Sequence, residues 1–186
     1  MQRLLALAIL TLLTASFASA QGETERRPNS KMGGGLYNLT EVQYGLGLNI
    51  IEPPFSQYIA GATTVFGWRF GGGFAIGGGT GYLKYNDGYT IPLYADMRYF
   101  LGKQKVQFFF AMPAGFLMNF DNFRDYSKVF GNPSLGLIVP ISSKTHLSFS
   151  VGLFTQIDRE IFDDPSFSAA WHDSFINLKL GLLFGM

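Results

Sequence analysis

The sequence predicts an all-β fold, an up-and-down transmembrane β-barrel of eight antiparallel strands. Apolar residues alternate with small or polar residues along about eight segments, which is the period of a β-strand with one apolar face. Charged residues make up only 15% of the chain, whereas a typical soluble domain has about 25%. Nearly all charges within the predicted strands lie opposite the apolar face. The apolar face is therefore suited to lipid and the polar face to a narrow interior.

The most regular pair of strands lies in residues 135–154. Every second residue of 135–141 and of 147–153 is Leu, Ile, Val or Phe, and the polar segment 142–145 separates the two runs. The fifth strand is the least regular, because Phe108–Phe110 interrupts the alternation and Pro113 has no backbone N–H to donate. The eight predicted strands cover approximately residues 36–48, 58–70, 74–85, 91–101, 106–118, 135–141, 146–154 and 175–184.

The connections between these strands differ in length on the two sides of the predicted barrel. Short turns are expected at residues 71–73, 102–105 and 142–145. Longer connections are expected at 49–57, 119–132 and 158–173, in addition to an Asn86–Gly88 turn. Membrane barrels with an even number of strands have short turns and both termini on one side, with longer loops on the other. The predicted connections follow that pattern.

The first 20 residues have the features of a signal peptide. Arg3 provides a positive start, residues 4–13 a short apolar run, and Ala18–Ala20 a cleavage site before Gln21. Residues 21–35 are polar and predict a flexible periplasmic tail, and the barrel domain is expected over 36–186. The chain has no cysteine, and its net charge of +1 gives no reason to expect nucleic-acid binding.

Two segments, Gly35–Leu46 and Ile91–Leu101, resemble the small outer-membrane β-barrel proteins of Gram-negative bacteria. The resemblance extends over the whole mature chain, and it departs at the C-terminus, where Phe184 is followed by Gly185 and Met186. It implies a porin-like integral protein of the outer membrane, located there after signal-peptide cleavage. Expected partners are membrane lipid, lipopolysaccharide and the barrel-assembly machinery. A monomer without cofactor or bound metal is expected. The resemblance is specific for fold and location only, because the family has no common catalytic motif.

Charged residues within the strands are expected to form a polar network in the interior; Lys84, near a strand end, is the exception. Glu41 and Lys179 are expected to pair, because barrel closure makes the first and last strands neighbours. An eight-stranded barrel has an interior just wide enough for side chains to fill. We therefore expect a filled lumen, with a narrow channel for small solutes as the alternative. The predicted lumen residues are Glu41, Arg69, Asp96, Arg98 and Lys179.

Two motifs raise the question of enzyme activity. His146 and Ser148 share one strand face, and His172–Ser174 contains the residue types of a catalytic triad. A lipid A acyl hydrolase or transferase is the resulting alternative, but it requires the pair to face lipid near the outer leaflet with an orienting acid. His146 is instead predicted to face the lumen, close to a short turn. The glycines at 71–73 and 77–81 lack the following Lys and Ser or Thr of a phosphate loop. No enzyme activity is expected.

The last long loop is acidic. It could bind a divalent cation that bridges to lipopolysaccharide phosphates, or a basic partner, although a solvated acidic loop is the simpler interpretation. Overall, the sequence predicts an envelope protein with a structural role or a binding role through its loops. The acidic residues are Asp158, Glu160, Asp163, Asp164 and Asp173.

Overall fold

The computed structural model describes residues 34–48, 56–86, 88–102, 106–119, 128–158 and 172–185. These residues form ten β-segments and one sheet. The described part of the chain contains no helix long and apolar enough to cross a membrane. The segments are β1 Gly35–Gly47, β2 Tyr58–Arg69, β3 Phe74–Tyr85, β4 Gly88–Leu101, β5 Gln107–Ala111, β6 Ala114–Met118, β7 Lys128–Gly131, β8 Ser134–Pro140, β9 Thr145–Asp158 and β10 His172–Phe184.

The sheet closes into a barrel of eight antiparallel strands, as the sequence predicted. β10 pairs with β1, so the first and last strands are neighbours. β5 and β6 both pair with β4, while β7 and β8 both pair with β9. Each of these two pairs of segments is therefore one strand of the barrel with a short interruption. A closed barrel leaves no unpaired sheet edge, which is the condition for a β-structure in lipid.

Prolines cause both interruptions. Pro113 lies between β5 and β6, and Pro133 lies between β7 and β8. The two strands keep one register across the gap, since Ala111 is opposite Ser134 and Ala114 is opposite Gly131. Proline lacks a backbone N–H, so the ladder loses a donor at each site without a shift of the chain.

The structure corrects two details of the sequence analysis in this region. Lys128–Gly131 is a strand, although residues 119–132 were expected to form a loop. The Phe108–Phe110 run does not break the alternation: Phe108 and Phe110 face outward, while Phe109 is buried in the interior. Three consecutive phenylalanines are compatible with a strand whose lumen and lipid faces both accept an aromatic ring.

The strands are strongly staggered. We start at Gly35 and go from each residue to the residue paired with it on the next strand. One circuit of the barrel then ends at Gly45, ten residues further along β1. With the usual strand spacing and rise, this stagger corresponds to a tilt of about 40°. Residues that lie side by side on neighbouring strands therefore differ in depth along the barrel axis.

The outer face is largely apolar, and a small polar patch between β1 and β2 is the exception described below. Of the charged strand residues whose side chains are described, only Lys84 lies on this face, one residue before the end of β3. The exposed apolar side chains include Leu36, Val42, Phe66, Trp68, Ile76, Leu93, Phe108, Phe116, Leu135, Phe149, Val151, Leu178 and Leu180.

The two ends of the barrel differ. At one end lie the turns at residues 71–73 and 142–144 together with the start of β1 and the end of β10, where Gly185 N–H donates to the Lys144 carbonyl at 3.1 Å. We call this the turn end, and the opposite end, where β1, β3 and β9 finish, the loop end. The turn before β3 requires glycine, because Gly73 has a φ of 90°.

Candidate functional site

The middle of the barrel interior holds a cluster of buried charges. Arg98 donates from Nε to Asp96 Oδ1 at 2.7 Å and from Nη2 to Asp96 Oδ2 at 3.1 Å. The same Nη2 donates to Glu41 Oε2 at 3.2 Å. All three side chains are at most 2% exposed. The planar guanidinium thus holds two carboxylates at once, which is the geometry for which arginine is suited.

Lys179 is a further buried charge beside this cluster. It lies opposite Gln43 on β1, whereas Glu41 lies opposite Gly181. The expected pair of Glu41 with Lys179 is not formed: Glu41 pairs with Arg98, and no ion pair within 4.0 Å involves Lys179 in the described part of the chain. Arg98 lies on β4 and reaches Glu41 on β1 across the interior.

Arg69 lies apart from the other four charges, at the turn end. Its side chain is buried, and its guanidinium carbon lies 4.5 Å from the centre of the Phe100 ring. Arg98 makes a similar contact with Phe109 at 5.2 Å. Contacts of this kind stabilise a cation by the electrostatic attraction of the ring face. All five residues predicted for the lumen network therefore have buried side chains, but they form two groups at different depths.

Buried aromatic rings contact one another in the interior towards the loop end. Successive ring centres lie 5.7, 5.1, 6.0 and 6.2 Å apart in a continuous series. We call this series the aromatic column; in contact order it consists of Tyr94, Phe130, Phe154, Phe175 and Tyr85. The sequence analysis did not identify it. The alternation along β9 contained the signal, because Phe154 continues the series of inward residues that starts at His146.

Polar side chains bridge the strands around the aromatic column. Asn177 Nδ2 donates to Gln43 Oε1 at 2.8 Å, Tyr85 OH donates to Gln156 Oε1 at 2.9 Å, and Gln156 Nε2 donates to Asp173 Oδ2 at 3.0 Å. A cavity of about 10 Å³ lies between this region and the charge cluster, enough for one water molecule. Polar residues that line it include Gln43, Thr63, Tyr94, Asn132 and Lys179.

Among the residues considered for catalysis, the side chain of His172 lies outside the described part of the structure, and the others do not converge on one point. His146 and Ser148 both face the interior and are buried, so neither side chain faces lipid. Asp173 is hydrogen-bonded to Gln156, while the hydroxyl of the adjacent Ser174 lies 3.2 Å from that of Thr155. Neighbouring residues of a strand point to opposite faces, so Asp173 and Ser174 cannot act on one substrate atom.

The acidic cluster is only partly described. Asp158 ends β9, and Asp173 is the second residue of β10. Glu160, Asp163 and Asp164 lie outside the described residues. Within the described ranges, no group of three or more His, Asp or Glu side chains is arranged to hold a metal ion.

A small polar patch interrupts the apolar outer face between β1 and β2. Asn38 Nδ2 donates to Thr64 Oγ1 at 2.9 Å and to the Val65 carbonyl at 3.1 Å. The Thr40 and Thr64 hydroxyls lie 3.0 Å apart. These polar groups hydrogen-bond to one another, so they can face lipid with their hydrogen bonds satisfied.

No protein-family model matches the chain, and no curated protein matches it. Solved structures do. Neisserial surface protein A (NspA) aligns over 83% of this chain and 99% of its own, with 10% identity and a TM-score of 0.53. The outer membrane protein OprG from Pseudomonas aeruginosa aligns over 84% of this chain and 97% of its own, with 7% identity and a TM-score of 0.47. A designed transmembrane β-barrel aligns over 87% and 98%, with 13% identity and a TM-score of 0.44.

The chain has the fold of a small outer-membrane β-barrel. The likeness to NspA, together with the closed barrel and its apolar outer face, confirms the fold that the sequence resemblance predicted. At 10% identity this likeness concerns the fold, and function must be argued from the residues of this chain.

Proposed function

We propose that this chain is an integral outer-membrane protein that acts in the cell envelope through its loops or through its presence as a closed barrel, and that it is neither a catalyst nor an open pore. One observation carries the proposal. Buried side chains contact one another in the interior: the Glu41, Asp96 and Arg98 cluster in the middle, and the aromatic column towards the loop end.

The outer face supports residence in the membrane. A charged side chain on the lipid face costs about 2–4 kcal/mol at the bilayer midplane but only about 0–1 near the interface. Lys84 lies next to the strand end, where this cost is small, and the middle of the face carries Leu, Val, Phe and Ile. The signal peptide predicted in residues 1–20 would deliver the chain to the periplasm, where the assembly machinery inserts barrels.

The difference between the two ends supports an orientation. Short turns and both chain ends lie on the periplasmic side of barrels of this kind. We infer that the turn end faces the periplasm and that the loop end faces outward, towards lipopolysaccharide. In this orientation the segment 159–171, with its acidic and aromatic residues, would contact lipopolysaccharide or a protein partner as part of a monomeric barrel.

Two measurements test the proposal. Purified protein in planar lipid bilayers is expected to show no single-channel conductance above that of bilayers alone. Discrete conductance steps would show that the barrel is an open pore and would refute the proposal. Mass spectra of lipid A from cells with and without the protein are expected to be the same. A change in acyl chain number that is lost in His146→Ala would instead establish an enzyme.

A further inference from the structure

Lys84 is the centre of a small patch on the outer face at the loop end. Tyr44 on β1 is opposite Ala60 on β2, and Ala60 is opposite Lys84 on β3. Lys84 is in turn opposite Tyr89 on β4. We call these four residues the lysine row. Each lies within three residues of the end of its strand at the loop end. Because lipid headgroups meet a membrane barrel near its strand ends, the row lies at headgroup level.

Two stacked pairs of tyrosine rings flank Lys84 on this face. The ring centres of Tyr44 and Tyr58 lie 6.1 Å apart, with 9° between the ring planes. Those of Tyr82 and Tyr89 lie 5.3 Å apart, with 21° between the ring planes. Tyr44, Tyr82 and Tyr89 are 48%, 41% and 38% exposed. Stacking orders the rings, while much of their surface stays open to a ligand.

The row has a depression beside Lys84. Ala60 carries only a methyl group, whereas its neighbours Tyr44 and Lys84 carry long side chains. These two neighbours lie two strand spacings apart, which is about 10 Å. Lys84 is exposed, and no ion pair within 4.0 Å involves it among the described residues. The depression is thus wide enough for a small anionic group, with one cation to hold it.

The corresponding positions on the other side of the barrel are different. Phe116 on β6 is opposite Val129 on β7, which is opposite Ile157 on β9. These three residues also lie within two residues of their strand ends at the loop end, and all are apolar. A girdle that only anchors a barrel in the membrane surrounds it on all sides. The lysine and the stacked tyrosines occupy one side of the described barrel, which indicates a ligand on that side.

The chemistry of the row selects its ligand. An ammonium group and tyrosine hydroxyls donate hydrogen bonds, so the ligand must accept them. The anions at the headgroup level of a membrane are the phosphates of its lipids, and lysine binds phosphate as a point charge. Towards the middle of the barrel the row adjoins exposed apolar side chains such as Val42 and Leu93, which suit acyl chains. A phosphorylated lipid therefore matches both parts of the surface, whereas free phosphate matches only the first.

We propose that the lysine row binds the phosphorylated headgroup of a glycolipid of the outer leaflet, with Lys84 in contact with the phosphate. The tyrosine pairs border the sugar, and the acyl chains lie on the apolar face. The inference rests on the proposed orientation, in which the loop end faces lipopolysaccharide. It adds a binding site on β1–β4, separate from segment 159–171, and limits the bound lipid to one side of the barrel.

Native mass spectrometry of the purified barrel in non-ionic detergent counts bound lipid directly. The probe is lipid A that carries both phosphates, and the comparison lipid is the same lipid A after removal of the phosphates. Inorganic phosphate is added in excess as a competitor. The gel mobility of unheated samples verifies that each variant is folded.

We expect Lys84→Met to weaken the binding of phosphorylated lipid A at least about tenfold, because a hydrogen bond to a charged group contributes about that factor or more. Lys84→Arg keeps the charge and should bind like the parent. Lys144→Met is the matched control: it removes an exposed lysine at the turn end and should also bind like the parent.

A second pair of variants tests the depression. Ala60→Leu keeps the charge but occupies the space beside Lys84, so binding should weaken about fivefold or more. Ala95→Leu makes the same change at an exposed position of β4 outside the row and should bind like the parent. The parent should prefer phosphorylated lipid A, and inorganic phosphate should not displace this lipid, since the free anion has no acyl chains.

Three results would overturn the site. Equal binding by the parent and Lys84→Met, or of the two forms of lipid A, would reduce the row to a membrane anchor. Displacement of the lipid by inorganic phosphate would assign the row to the free anion. Equal losses in Lys84→Met and Lys144→Met would show a general attraction between charges.

The orientation is tested separately. The chain has no cysteine, so Gly88→Cys places a single thiol at the exposed start of β4. We expect a membrane-impermeant maleimide to label this thiol on intact cells. Labelling only in broken cells would overturn the outward orientation and, with it, the glycolipid site. Loss of the binding differences while the labelling succeeds would overturn the site and leave the proposed function intact.

Discussion

Replacement of Arg98 by methionine should destabilise the barrel more than any other single loss of charge in the interior. Arg98 makes three hydrogen bonds to two carboxylates, and all three residues are at most 2% exposed. Methionine resembles the aliphatic part of the arginine side chain but carries no charge, so Glu41 and Asp96 would be left buried without their partner. Breaking a buried pair in this way costs about 3–5 kcal/mol, much more than the pair itself contributes.

The assay is urea unfolding in detergent micelles or lipid vesicles, with linear extrapolation of the free energy to zero denaturant. Tryptophan fluorescence reports the transition, because Trp68 lies on the outer face and loses its lipid contacts on unfolding. Lys84→Met is the matched control: it removes one cation from an exposed position and should change the free energy by no more than about 0.5 kcal/mol.

Two further variants separate charge from geometry. Arg98→Lys keeps the charge but loses the bidentate contact, so its loss of stability should lie between those of the parent and Arg98→Met. Combining Arg98→Met with Glu41→Gln and Asp96→Asn removes all three charges and should recover much of the stability. If Arg98→Met loses less than about 1 kcal/mol, the carboxylates are not desolvated in the native state and the buried cluster is refuted.

Three predictions concern packing and lipid contact, all measured by the same urea unfolding. Phe154→Ala removes a ring of the aromatic column and should cost about 3–5 kcal/mol, more than Phe149→Ala on the lipid face of the same strand; equal losses would refute the filled interior. Gly79→Val drives methyl groups into the Tyr94 ring and should cost about 1–3 kcal/mol, while the adjacent Gly78→Val, which meets open space, should be tolerated. Leu180→Arg, in the middle of the lipid face, should cost about 2–4 kcal/mol and Leu36→Arg, at the turn end, about 0–1; the reverse order would refute the membrane placement.

The sequence was sufficient for the fold because the decisive signal is local. Whether a residue faces lipid or lumen depends only on its parity within a strand, and an alternation such as that of residues 147–153 can be read without knowledge of any partner. The same reasoning failed at Lys128–Gly131, where four residues before a proline are too few to establish a period. It was also wrong that Phe108–Phe110 interrupts the alternation. Three identical residues conceal the two faces in the sequence, whereas Phe109 faces inward and its two neighbours face outward.

The partners within the lumen depend on a different kind of information. Counting from the strand ends brings Glu41 and Lys179 to similar depths, and β1 and β10 are indeed neighbours. The pairing of Glu41 with Arg98, however, joins β1 to β4 across the interior, and the relative depth of these strands depends on the three registers between them, β1–β2, β2–β3 and β3–β4. Each pairing register depends in turn on a connection whose length and turn type set it. The alternation along each strand therefore identified which charges are buried. The ion pairs among them required more, because the registers of the intervening strands set the depth of each charge and barrel closure brings opposite walls within reach.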